Sequence, residues 1–106
     1  MEKQNLFANL PELADGESFQ EVIRQGNVVI ERIVSSDRPE ETTYDQPQDE
    51  WVLLLQGRAT LEVAGKAVDL AAGDYLLIPA HTVHRVLSTS TEPKCVWLAV
   101  HLHPPH

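Results

Sequence analysis

The chain has 106 residues and a net charge of −8 with its histidines neutral. That length fits one domain with one core, and the acidic balance argues against nucleic acid and anionic membrane as partners, since both demand a basic face. No apolar run approaches the ~20 residues of a membrane helix. The N-terminal "MEKQNLFANLPELADGESF" lacks the basic-then-apolar order of a signal peptide, so we expect a cytoplasmic protein. Cys95 is the single cysteine, which rules out an internal disulfide and suits a small apolar filler.

In chain order, residues 1–18 are polar with scattered leucines and read as an arm. From Phe19 the texture changes. "SFQEVI" and "NVVIERIVSS" are rich in Val and Ile and flank the turn "RQGN", which predicts two antiparallel strands. "SDRPEE" is a loop, because Pro39 cannot donate to a ladder. "TTY" predicts a short strand ended by Pro47. "EWVLLLQG" predicts a strand, and "RATLEVAG" and "KAVDLA" alternate apolar with polar around the turn "AGK". "AAGD" turns the chain into the strand "YLLIP". "VHRVLS" and "CVWLAVHL" are strands around the loop "STEPK". No segment has a convincing period of 3.6. About nine short strands with frequent turns predict an all-β sandwich or barrel. It occupies residues 19–103, with a C-terminal tail at 104–106.

The runs "WVLLL" and "YLLIP" do not alternate, so these strands are expected to bury both faces. One face looks into the barrel. The other, with Trp51, Leu53 and Leu55, needs the N-terminal arm, a second sheet or another subunit to cover it. We expect a homodimer.

Two spacings carry a family resemblance. Glu50, six residues and Gly57 match the end of one motif, and Gly73, five residues, Pro79 and then His84 match a second. Over roughly residues 40–100 the chain resembles the small single-domain cupins, and more particularly the short bacterial cupins with a "YDQP.DEWV" segment. The resemblance implies a double-stranded β-helix, or jelly-roll barrel. It also implies one divalent metal (zinc, iron, manganese or nickel), held by two His and a Glu of the first motif and a His of the second. In this register Glu50 and His84 are retained, while Tyr44 and Gln46 stand at the two first-motif His positions. With one more intervening residue Thr43 and Asp45 would stand there instead. The Pro after Gln46 and the inward alternation of Tyr44 and Gln46 favour the first register. His81 takes the place of a second-motif glycine, and Ser88 that of its final Asn.

An amide is a weak neutral ligand, and a phenol binds well only when ionised, which its pKa of about 10 disfavours near neutral pH. Glu50 and His84 alone fall short of the three protein ligands usual for catalytic zinc. His81 would help only if its loop folds inward, and Asp45 only if the register slips, so these two are candidates for the pocket wall. Each residue also has a plainer reading. Glu50 could be a solvated strand-start acid, His84 a core histidine satisfied by Glu50 or Gln46, and His81 a loop histidine. Tyr44 could line the barrel with its hydroxyl on Glu50. Asp49 reads as a solvated acid and Arg85 as one half of a surface ion pair. His101 and His103 share a face, but the prolines after them suggest a fraying tail. The expected inward set is Val52, Leu54, Leu61, Leu77, Val86, and Trp97 or Leu98. Such an apolar pocket with a few polar groups at one end suits a small-molecule ligand. Two functions remain: a metal- and ligand-binding cupin of unassigned reaction, or a metal-free small-molecule binding module acting as a homodimer.

Overall fold

Eight strands form where the sequence alternates or concentrates β-branched residues. They are β1 (Glu17–Gln25), β2 (Val28–Ser35), β3 (Asp49–Gln56), β4 (Arg58–Val63), β5 (Lys66–Ala71), β6 (Tyr75–Ile78), β7 (His84–Thr89) and β8 (Cys95–Leu102). The computed structural model describes residues 1–105, so His106 of the expected tail lies outside the described residues. A five-stranded sheet runs β1-β2-β8-β3-β6 and faces a three-stranded sheet, β5-β4-β7. After β3 the chain changes sheet four times, at β4, β6, β7 and β8, which gives the all-β jelly roll that the family resemblance implies. No helix among the described residues is long and apolar enough to cross a membrane.

The core is the layer between the sheets. Ile33, Val52, Leu54, Trp97 and Ala99 from the larger sheet meet Ala59, Leu61 and Leu70 from the smaller, with Cys95 packed among them. Alternation decides which residues reach it. On β8 this sends Trp97 inward and Leu98 outward. On β6 it corrects the expectation for Leu77. Ile78 pairs with Glu50 and Leu76 with Val52, so these two share the inner face, while Leu77 pairs with Trp51 on the outer face and is 54% exposed. The expected strand "TTY" is reduced to one bridge, Tyr44 to His84, because Pro47 follows too closely for a ladder to extend.

The outer face of the larger sheet carries an apolar row. Ile23, Ile30, Val100, Trp51 and Leu77 are successive cross-strand partners over all five strands. Leu98, Leu53 and Tyr75 form the next row. In one chain this face is half-buried on β3 and largely exposed on β6, where Tyr75 and Leu77 stand in solvent. The N-terminal arm crosses the other end of the face. Arg32 donates to the carbonyls of Leu6 (3.2 Å) and Ala8 (2.6 Å), and Lys94 Nζ to that of Pro11 (3.2 Å). Strand β1 forms one edge of the sheet, and its pairing with β2 is interrupted by a bulge between Glu21 and Ile23.

One residue, Gly57, carries the chain from β3 in one sheet to β4 in the other. Its φ of +97° is left-handed, and a Cβ there would meet Cys95 Sγ at 2.8 Å and Cys95 Cα at 3.0 Å. Gly65, in the turn between β4 and β5, also has positive φ (+80°), but has open space around it. We predict that Gly65→Ala costs about 1–2 kcal/mol from the backbone alone. Gly57→Ala should cost that plus about 1–3 kcal/mol of overpacking. Urea unfolding of the two variants checks the difference; equal costs would mean that Cys95 yields freely.

Candidate functional site

The polar residues of the barrel gather at one end, around a cleft between the sheets. Its walls include Glu17, Glu31, Tyr44, Gln46, Glu50, His84 and His101 above an apolar floor of Val52, Leu61, Val86 and Trp97. About 90 Å3 of the cleft is open to the centres of water-sized molecules, room for several waters or a small ligand.

Local backbone pairing builds it. Tyr44 N–H donates to the His84 carbonyl (2.8 Å), and His84 N–H returns a bond to Tyr44 (3.0 Å). His81 N–H donates to the Gln46 carbonyl (2.7 Å). These bonds pin residues 44–46 beside the start of β7. The Tyr44 ring therefore stacks on the His84 ring, with centroids 5.5 Å apart, and its hydroxyl makes no bond to Glu50, contrary to the plainer sequence reading. Inward alternation of β3 brings Glu50 to the same end, cross-strand from His101 on β8.

A chain of side-chain hydrogen bonds then links the residues. His101 Nε2–H donates to Glu31 Oε1 (2.6 Å), and His101 Nδ1 accepts from Gln48 Nε2 (3.2 Å). Gln48 Nε2 also donates to Gln46 Oε1 (3.1 Å), and Gln46 Nε2 donates to Glu50 Oε1 (2.8 Å). His84 Nδ1–H donates to the Thr82 carbonyl (2.9 Å), which aims Nε2 at Glu50 Oε1, 3.7 Å away. At that distance the two attract as an ion pair rather than a hydrogen bond. Among the described residues no buried side-chain nitrogen or oxygen lacks a partner.

The electrostatics follow from burial and partners. Burial pushes Glu50 upward, but His84 and the Gln46 amide outweigh it and hold the carboxyl below its ordinary 4.5. Burial pushes His84 downward, but Glu50 and the Thr82 carbonyl hold it above 6.5. Burial raises Tyr44, and the charges of Glu17, Glu40 and Glu50 add to this, so its hydroxyl stays protonated.

The sequence pointed to Glu50, His84, Gln46 and Tyr44, and the fold brings all four to the cleft. His81 and Asp45 stand outside it. They face each other at the surface, His81 Nδ1 3.3 Å from Asp45 Oδ1. Asp49 accepts from the Ala80 N–H (2.8 Å), and Arg85 pairs with Glu62 (3.3 Å) as expected. His101 belongs to the cleft, although the sequence reading gave it to a fraying tail. Its signal was the alternation Cys95, Trp97, Ala99, His101, which continues the inward face of β8 up to the prolines.

The divalent metal implied by the resemblance meets a poor donor set. Glu50 with His84 and Glu31 with His101 each set a carboxylate beside an imidazole, but no group of three His, Cys, Asp or Glu among the described residues is arranged to hold a metal ion. The space between Glu50 and His84 faces Gln46 Nε2, 2.8 Å from Glu50 and 3.5 Å from His84 Nε2. An N–H donor cannot bind a cation. Turning that amide would set two donors, Gln46 and Gln48, against each other. These residues do not fit a tightly held resident metal.

The family profile described as "Cupin domain" matches residues 34–101. The chain belongs to the cupin family. A candidate mannose-6-phosphate isomerase from Ralstonia eutropha JMP134 is similar to this cupin, with 39% identity, a TM-score of 0.86, and 98% of this chain and 100% of that chain covered. A cupin superfamily protein from Desulfitobacterium hafniense DCB-2 shares 22% identity at a TM-score of 0.80, covering 98% and 94%. KdgF from Halomonas sp. shares 20% at 0.70, covering 84% and 81%. The last two likenesses concern the fold alone. No protein of curated function matches this cupin.

The Glu50–His84 pair gives a pH prediction. His84 is raised above 6.5, so its contribution to stability is complete below that pH and is lost as pH rises through the folded value. Glu50 is lowered below 4.5, so its contribution is present above 4.5 and is lost as pH falls through the folded value. Both operate between 4.5 and 6.5. The melting-temperature advantage of the wild type over His84→Gln should therefore be greatest in that window and shrink above it. An advantage that does not change with pH would mean that the two side chains do not interact.

Proposed function

We propose that this cupin is a small-molecule binding protein whose cleft holds its ligand through side chains directly, with no resident metal. The observation that carries this reading is the chain of hydrogen bonds from Glu31 through His101, Gln48 and Gln46 to Glu50. It satisfies the buried polar groups from within and fixes their directions before any ligand arrives, which lowers the cost of ordering on binding.

Proton transfer is the chemistry within reach of this arrangement. Glu50 is an ionised acceptor and His84 a cation held by it, so one can take a proton from a bound ligand while the other returns one. The described role of the R. eutropha relative as a candidate mannose-6-phosphate isomerase supports chemistry of that kind. Metal analysis of untagged protein purified without nickel tests the first part. The content should be well below one metal per chain, with no stoichiometric uptake of zinc, iron or manganese. Near-stoichiometric metal that disappears in Glu50→Ala and His84→Ala would overturn it.

The functional unit we propose is a homodimer formed through the outer face of the larger sheet. Ile30, Trp51, Leu53, Leu98, Val100 and Leu77 give this face two apolar rows, and Arg32, which continues one of them on β2, is buried and bonded to the N-terminal arm. A second copy can therefore set apolar side chains against apolar side chains over these rows. Sedimentation should give twice the mass of one chain at micromolar concentration, and Trp51→Glu should halve it. A wild-type mass equal to one chain would remove the dimer.

A further inference from the structure

The lining of the cleft carries charge of one dominant sign. Glu17, Glu31 and Glu50 face it, and no Lys or Arg is among its lining residues. Only two imidazoles, His84 and His101, stand against the three carboxylates. Each carboxylate is anchored through one oxygen. Glu31 Oε1 and Glu50 Oε1 take the bonds from His101 and Gln46 described above. Glu17 Oε2 accepts from Ser35 Oγ (2.8 Å), whose oxygen in turn accepts from the Trp97 indole N–H (2.9 Å). The second oxygens, Glu17 Oε1, Glu31 Oε2 and Glu50 Oε2, have no hydrogen-bond partner among the described residues. The cleft thus offers three oriented acceptors above a floor of aromatic and aliphatic carbon.

We propose that the ligand is a small organic cation of the alkylammonium kind, its N–H groups meeting Glu17, Glu31 and Glu50 and its alkyl part lying against Trp97 and Val52. This rests on reading the cleft as a ligand site. Three carboxylates faced by only two imidazoles, and by no Lys or Arg of the lining, call for a ligand that brings donors and positive charge. The indole face of Trp97 is a favourable neighbour for such a charge. Burial is the main cause that raises the Glu17 carboxyl, and the charges of Glu40 and Glu50 raise it further. A sugar phosphate, the substrate named for the R. eutropha relative, would set a dianion among these carboxylates. The cleft opposes it.

The test is a nitrogen-15 NMR titration at fixed ionic strength with n-butylammonium chloride, n-butanol, sodium butyrate and mannose 6-phosphate. The two tryptophans make it specific, because Trp97 lines the cleft and Trp51 lies on the outer face. Butylammonium should shift the Trp97 indole N–H and leave that of Trp51 in place. It should bind about tenfold or more tightly than butanol, with no Trp97 shift from butyrate or the sugar phosphate. Glu17→Gln and Glu31→Gln, which preserve shape and remove one charge each, should both weaken binding several-fold. Equal binding of butanol, or Trp97 shifts by an anion, would overturn the cation and leave the ligand site standing. Equal shifts of both indoles would mark diffuse attraction to an acidic protein and overturn the proposal. Silence of Trp97 to all four probes would overturn both the cation and the ligand-site reading.

Discussion

A carboxylate enclosed in an apolar barrel must be neutralised or supplied with donors, and the need of Glu50 for them organises one end of this molecule. Its first donor is Gln46, which can serve only because Tyr44 and Gln46 are tied by backbone bonds to the start of β7. The same tie brings in His84. Gln46 then needs a donor for its own oxygen, which Gln48 provides, and Gln48 gives its other N–H to His101. Remove Glu50 and the donors that converge on it lose their purpose together. The cleft is therefore better regarded as one hydrogen-bonded unit than as a set of separate candidate residues.

The larger sheet has a division of labour set by a period of two. Its inner face supplies the carboxylates and Trp97, while its outer face carries an apolar row across all five strands. Both faces depend on the same register, since a slip of one residue would exchange them. Gly57 and Cys95 help to hold that register where the chain leaves one sheet for the other. The small thiol fits against a position that tolerates no side chain, and its Sγ–H also donates to the Arg58 carbonyl (3.1 Å).

Much of this was legible in the sequence. Alternation and turn residues placed most of the strands. The spacing of Glu50, Gly57, Gly73, Pro79 and His84 carried the family resemblance, and that resemblance implied the barrel and two of its cleft residues. What stayed hidden depended on partners distant in the chain. Leu77 was assigned inward because "YLLI" is apolar throughout and so carries no sign of its own register; only pairing with Glu50 and Trp51 decides it. His101 was hidden by the prolines after it, which suggested a loose end, while Asn27 in fact holds His103 at both its N–H and its carbonyl (2.8 and 2.9 Å). The chemistry of Gln46 was hardest to read. Its place was visible, but which end of the amide faces Glu50 is settled by Gln48 and, behind it, by His101.

The bulge in β1 has a further consequence. β1 has nine residues and borders the larger sheet with nothing beyond it. A long, regular border strand offers unpaired N–H and C=O groups to any stray strand that meets it. Here the ladder loses step between Glu21 and Ile23, and Glu21 pairs with Arg24 on the exposed surface (2.8 Å). An incoming strand would have to match that irregular spacing and displace charged side chains. The sheet can thus carry a broad apolar face on one side and still resist growing sideways into an aggregate.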